Sequence, residues 1–356
     1  MLRQRQLLRF QELLAHSLQR FQHQISLKSP LRLRKQLLFL QACSRPRTNT
    51  QPGRREELSG QRATAPMLGG SDVPSPRPCG TLKVVCHGSP ADSPLPFFAP
   101  GPEPGRIGPP AVGNAGAGIY TQGGNVNLSS GTINIGLAEA VGVYSIGSGQ
   151  IINNNLSALN IGDTSFGFVN LGTGNTINSN TSNVTLGNDS VYIYSNDASG
   201  TVANNTNLVT TGNRNYGIYS AGQVTNSGNM NLSSGAGNVG IYSISGGTAT
   251  NSATIDLGTT DVVNKNYSIG MAAGYSWTDD DLALPISLRP TVQTGNIVNS
   301  GIINVNNKND IGMYATESAS SVTNSGIINL NADNTIGVYL DNGAKGTNTA
   351  TGIIKS

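Results

Sequence analysis

From position 111 to its end, this 356-residue chain has no histidine and no cysteine. That excludes disulfides, thiol chemistry, Cys/His zinc sites and histidine acid–base catalysis from the segment. Charge is scarce at 12%, and aromatic residues make up only 5%. No run approaches the roughly 18 consecutive apolar residues that a membrane-spanning helix needs. All three histidines and all three cysteines (Cys43, Cys79, Cys86) fall in the first 110 residues. Cys79, Cys86 and His87 invite a metal reading, but a C-x6-C-H spacing without a fourth ligand is weak.

The net charge of +3 is a difference between opposites. Residues 1–110 carry 16 of the 22 Lys+Arg and 6 of the 19 Asp+Glu, and 111–356 carry the remainder. Residues 1–42 place Leu7, Leu8, Leu14, Leu18, Phe21 and Ile25 at loosely helical spacing among Arg and Gln. This predicts a basic amphipathic helix ending before Pro30, and a second is open over 31–41. A basic surface for lipid or nucleic acid is the sharper alternative, but no aromatic interleaving supports nucleic-acid binding. Leucines here are interrupted by Arg, Gln and His, so no secretory signal core is expected. The segment Leu37–Ser44 is too short and lies too far in. An Arg-rich, acid-poor start also resembles a mitochondrial presequence, but nothing downstream suits an organelle. Residues 43–110 are rich in Pro, Gly, Ser and Arg, a disordered-linker composition that could be foreign to the rest of the chain.

The rest of the chain is a repeat. A phrase of Gly, an aliphatic residue and usually Tyr recurs at Gly118, Gly142, Gly167, Tyr192 (as YIY), Gly217, Gly240, Gly270, Gly312 and Gly337. The spacings are 24, 25, 25, 25, 23, 30, 42 and 25 residues. Each is followed by a second phrase, such as VTNSGNMNL at Val224, IVNSGIINV at Ile297 and VTNSGIINL at Val322. Period-two alternation with Asn, Gly and Ser at the joints reads as three short strands per coil linked by tight turns. Coils repeating in register must stack strand on strand. The predicted fold class of 111–356 is therefore all-β, a parallel β-helix of about ten coils of about 25 residues. At about 4.8 Å per coil its length is roughly 45–50 Å.

Alternation predicts the faces. Val239 with Ile241, Ile311 with Met313 and Ile336 with Val338 are expected inward, with Gly240 and Tyr242 outward. Met230 with Leu232, Ile255 with Leu257 and Ile328 with Leu330 are also expected inward. Two ladders follow. Asn155, Asn180, Asn204, Asn226, Asn251, Asn299, Asn324 and Asn348 are expected at one turn, where Asn tolerates a left-handed backbone and bonds its copies above and below. Tyr120, Tyr144, Tyr194, Tyr219, Tyr242, Tyr314 and Tyr339 form an outer column. That column either stiffens the rod or offers a track for sugar rings or protein side chains.

The 42-residue spacing singles out an insertion over 274–295. It holds the only tryptophan, Trp277, with Asp279, Asp280, Asp281 and Arg289. Solenoids accept such loops on one face, often the binding face, and these five residues are the candidate contact set. The alternative is a solvated excursion. A calcium site is disfavoured, because three adjacent acids point in different directions. No metal or other cofactor is expected. β-Helices can also carry sugar-cleaving sites, which need clustered carboxylates or a carboxylate beside Arg or Lys. Here Arg214, Lys265, Arg289, Lys308, Lys345 and Lys355 are scattered, and neither a calcium nonapeptide nor a nucleophile elbow is present, so no enzyme is expected.

The phrases VTNSGIINL, GIYS and GVYL, with Asn-rich turns and no cysteine, resemble the passenger repeats of autotransporter adhesins. They look most like those of the large fusobacterial outer-membrane autotransporters. The resemblance covers about residues 111–356. It implies a right-handed β-helical stalk on the cell surface, exported through a C-terminal β-barrel translocator. It further implies attachment to a protein or glycan of host cells or other bacteria. No recognisable signal precedes the repeats and no barrel follows Ser356, so the chain is expected to be a fragment of a longer passenger. The alternative is a β-helical polysaccharide-acting enzyme or a tail-spike-like protein.

Overall fold

The computed structural model describes residues 111–112, 116–136, 140–277 and 279–356. The readings made for 1–42 and 43–110, including Cys79, Cys86 and His87, lie outside the described residues. Strands of two to six residues form three parallel sheets, each strand pairing with its counterpart one coil along. A nine-stranded tyrosine sheet runs from Ala117–Thr121 to Ile336–Asp341. A nine-stranded asparagine sheet runs from Val126–Leu128 to Lys345–Asn348. The third sheet has ten strands, from Ala111–Val112 to Ile353–Lys355. The fold is an all-β parallel β-helix. It has about nine coils rather than ten, because only the third sheet gains the extra strand Ala111–Val112.

Strands this short bury little alone. Stacking gives each backbone edge a partner and closes a narrow aliphatic interior. Met230, Leu232, Ile241, Ile255, Leu257, Met271, Ile303, Met313 and Ile328 are buried in that interior, with Leu330 and Val338 packed against it. Neighbouring coils place like on like, as in Ile241 opposite Met271 and Met271 opposite Met313.

Strict alternation fails at the glycines of the tyrosine sheet. Val239 and Ile311, expected inward, belong instead to a second cluster with Tyr219, Tyr242 and Tyr314, and Ile336 packs on it. Gly240, expected outward, faces the interior: a Cβ there would meet Gly270 O at 2.6 Å and Ile255 Cγ2 at 3.3 Å. Two successive residues, Gly240 and Ile241, therefore sit on the inner side, and the residue before them turns out. Coil-to-coil pairing skips the glycine, joining Tyr216 to Val239 and Ile218 to Ile241. Only a residue without a side chain lets the backbones approach this closely.

One coil breaks the rule and compensates. Tyr192 occupies the glycine column, fully buried inside the helix, edge-to-face with Phe168 at 5.9 Å between centroids. Its hydroxyl bonds Ser179 and lies 3.4 Å from Thr206 Oγ1. Ser179 stands where the neighbouring coils carry the ladder residues Asn154 and Asn204. The shorter side chain there leaves room for the phenol.

The ladder thus corrects two assignments. Asn154 and Ser179, not Asn155 and Asn180, align with Asn204, Asn226, Asn251, Asn299, Asn324 and Asn348. Asn155 and Asn180 belong to an exposed row continued by Asn205. Nor does the buried ladder use left-handed backbone. Positive φ falls instead on residues such as Thr164, Asp189, Arg214, Asn309 and Asn334, two positions before tyrosine-sheet strands. The ladder amides make the turn another way, bonding the residue two positions on, as Asn251 Nδ2 does to Ala253 O at 2.8 Å.

Candidate functional site

Asn226, Asn251, Asn299 and Asn324 are fully buried. Each Nδ2 donates to the next Oδ1: Asn226 to Asn251 at 2.8 Å, Asn251 to Asn299 at 3.0 Å, Asn299 to Asn324 at 2.9 Å. A ligand cannot reach them. The tyrosine column is outside the coil, and from Tyr219 onward it is closed to solvent. Tyr219 is 5% exposed, Tyr242 0%, Tyr314 4% and Tyr339 9%, so this stretch is no open track for sugars or side chains, while Tyr120 and Tyr194 are partly exposed. Rings spaced by one coil cover one another, with centroids 4.9 Å apart for Tyr219–Tyr242 and 5.7 Å for Tyr314–Tyr339. Flanking Val239, Ile244, Ile269 and Ile311 complete this outer cluster.

The column is broken at Ala272, which pairs with Tyr242 on one side and Tyr314 on the other. Both long spacings, of 30 and 42 residues, flank this strand, Ile269–Ala273. Before it, the 30-residue spacing is a small excursion closed by an Asp261–Asn266 antiparallel bridge, and it delivers the buried ring of Tyr267 to the outer cluster. Sequence reasoning passes over this one, although the spacing signals it. After it comes the 274–295 excursion. Its neck is an antiparallel pair, Tyr275 N to Gln293 O at 2.8 Å and Gln293 N to Tyr275 O at 2.9 Å.

Inside that excursion the five candidate residues have different tasks. Trp277 is 41% exposed, and its Nε1 donates to Pro290 O at 2.7 Å. Arg289 sits over the indole ring at 5.4 Å and spends its guanidinium on the carbonyls of Leu284 (3.0 Å) and Leu282 (2.8 Å). It braces the loop. Asp281 is buried and accepts a hydrogen bond from the Tyr275 hydroxyl, so it too faces inward. Asp279 and Asp280 open the one-turn helix Asp279–Leu282. Trp277 lines an opening.

That opening is a shallow cleft lined by Tyr242, Gly274, Tyr275, Ser276, Trp277, Tyr314, Thr316, Asp341 and Asn342. Sequence reasoning misses Asp341 and Asn342, and Asn342 arrives from a coil 66 residues beyond Ser276. Its Nδ2 donates to Ser276 Oγ at 2.6 Å, tying the excursion to that corner. Burial pushes the phenols of Tyr242 and Tyr314 well above their usual range, and burial with the Asp281 carboxylate does the same for Tyr275. Near neutral pH these groups are rings and hydrogen-bonding hydroxyls, not proton carriers.

Two other charged sites are engaged within the stack. Arg214 grips Asp189 of the coil before it with two bonds of 2.6 Å. Asp310 is fully buried, accepts from Thr260 Oγ1 at 2.8 Å and Asn307 N at 3.0 Å, and burial raises its pKa to about 7. Among the described residues no group of three or more His, Cys, Asp or Glu could hold a metal ion. Among them, too, no helix is long and apolar enough to cross a membrane.

No curated protein and no solved structure matches the chain. Residues 111–352 match the family described as the BigA third pectate lyase-like domain, a β-helical, passenger-like domain of bacterial surface proteins. The match spans all but the last four residues of the β-helix, and on it the chain belongs to the BigA third pectate lyase-like domain family.

Proposed function

We propose that residues 111–356 are an independently folding, non-enzymatic stalk of an autotransporter-type passenger displayed on the bacterial cell surface. In this reading the excursion at 274–295 is its contact surface toward a protein or glycan of host cells or other bacteria. The observation that carries the reading is the contrast between the two parts of the molecule. The stack buries its asparagine ladder and the tyrosines from Tyr219 onward, whereas the excursion holds a half-exposed tryptophan over an aromatic cleft. An exposed aromatic anchor beside a preformed cleft is the usual centre of a binding surface. Membership of a surface-protein family and the repeat style support display outside the cell. A C-terminal β-barrel in the full-length protein belongs to this proposal.

A second reading, action on polysaccharide, draws on the pectate lyase-like character of the family and on Asp341 and Glu317 near Tyr314. Against it, Arg214 and Arg289 are both tied up within the fold and Asp310 is sealed from solvent. Beads coated with the full chain should attach to epithelial cells or to other bacteria more than bare beads do. Incubation with surface polysaccharides should release no new reducing ends or unsaturated sugars. Absence of attachment would contradict the adhesin reading, and product release would favour the second.

A further inference from the structure

The cleft's walls are fixed in advance. Trp277 is pinned at Nε1 by Pro290 O and backed by Arg289. The Tyr242 hydroxyl donates to Gly274 O at 2.7 Å, and Tyr275 is tied to Asp281. Rigid rings cost little ordering on binding. Around them stand short polar groups from both sides: Ser276 from the excursion, Asp341 and Asn342 from the later coil. Asn342 holds a left-handed φ of 46° and Glu317 one of 81°, so this corner maintains an uncommon backbone for non-glycine residues. The exposed flat face of Trp277 beside hydroxyl-sized donors and acceptors matches a sugar ring, which has an apolar C–H face and a polar rim.

Charge narrows the class. Asp341 lines the cleft, and Asn342 Nδ2 lies 3.4 Å from Glu317 Oε1, so two carboxylates stand at this corner. The guanidinium of Arg289, the cation against Trp277, is already bonded to Leu282 and Leu284. An anionic sugar would meet repulsion there, and no cationic residue is among those that line the cleft. The enclosed volume, about 40 Å³, is far below that of pockets that engulf a ligand, so a sugar rests against the cleft with one ring on Trp277 rather than sinking into it. We propose that this cleft is a subsite for one uncharged pyranose of a surface glycan, stacked on Trp277 and bonded through its hydroxyls to Asp341 and Asn342. The inference rests on the contact-surface reading above. It runs against the acidic-polysaccharide substrate that a pectate lyase-like ancestry suggests.

Because Trp277 is the only tryptophan in the chain, it reports on its own site. The full chain is titrated with neutral trisaccharides of glucose, galactose, mannose and N-acetylglucosamine, and separately with trigalacturonate, while emission is followed. The expected result is a saturable change with at least one neutral sugar and none with trigalacturonate. By ligand-observed NMR, Trp277→Ala should weaken that binding about tenfold or more, and Trp277→Phe should retain it within about fivefold. Thermal melts should be unchanged; if the alanine variant fails to fold, the phenylalanine variant decides. Silence toward every neutral sugar, preference for trigalacturonate, or undiminished binding by Trp277→Ala would overturn the proposal. Should coated beads still attach to cells in that event, the contact-surface reading survives and only the sugar is wrong. Loss of both would end both.

Discussion

Replacing Asn251 by alanine removes one rung of the buried ladder, and its cost can be worked from the bonds it makes. Asn251 Nδ2 donates to Asn299 Oδ1 at 3.0 Å and Ala253 O at 2.8 Å. Its Oδ1 accepts from Asn226 Nδ2 at 2.8 Å and Ala253 N at 3.3 Å. After truncation Asn226 Nδ2 keeps Gly228 O, and Ala253 O keeps Ile302 N. Asn299 Oδ1 and Ala253 N lose their bonds to the amide. At about 1–3 kcal/mol for each of these two polar groups left unbonded, the expected loss is about 2–6 kcal/mol. Asn180→Ala, in the exposed row, should stay within about 0.5 kcal/mol. The assay is urea denaturation of the full chain followed by far-ultraviolet circular dichroism, comparing midpoints. A double variant with Asn299→Ala should cost less than the two single changes added together, since they share a hydrogen bond. Equal midpoints for Asn251→Ala and Asn180→Ala would refute the ladder as a source of stability.

Asp310→Asn should flatten the pH dependence of stability. With its folded pKa at about 7, above the ordinary carboxylate value, Asp310 binds more protons folded than unfolded between about pH 4 and 7. Wild-type stability should therefore rise as pH falls through that window, by up to about 4 kcal/mol, and the asparagine variant should lose this slope. Denaturation midpoints at several pH values check it. Ile241→Asp should unfold the coils by burying an unpaired charge, and Tyr242→Ser should also be costly, by about 3 kcal/mol, because the ring is fully enclosed. A silent Tyr242→Ser melt would contradict the outer cluster. Replacing 276–292 by Asn-Gly across the Tyr275–Gln293 neck should leave the β spectrum and melting nearly unchanged, since those two residues already form an antiparallel pair. Collapse of that variant would make the excursion a structural cap.

The β-helix is readable from sequence because each coil restates one phrase, so errors in single repeats average out. Side-chain direction at Gly240 is not. Period-two alternation carries no marker for two successive inward residues when one of them has no side chain. The clue is Tyr192, the one large residue in a column of glycines, coupled to Ser179 in a column of asparagines. The ladder slips by one at Asn155 and Asn180, because the run Asn153–Asn154–Asn155 fits either register. Trp277 is legible as the lone tryptophan in an off-period segment. The tasks of Arg289 and Asp281 are not, since their partners are loop carbonyls and a phenol that only folding selects. Asp341 and Asn342 reach the cleft through coil stacking, which places residues 66 positions apart in contact with no local signal.

The most direct test of a stack that supports one contact surface is a hydrogen-exchange footprint. The full chain is compared free and bound to neutral glycans released from cells to which coated beads attach. Protection gained only across 274–295 and at the corner around Asp341 and Asn342, with the exchange of the coils unchanged, is the expected result. Protection spread along the tyrosine sheet away from that corner, or none anywhere on the β-helix, would contradict it.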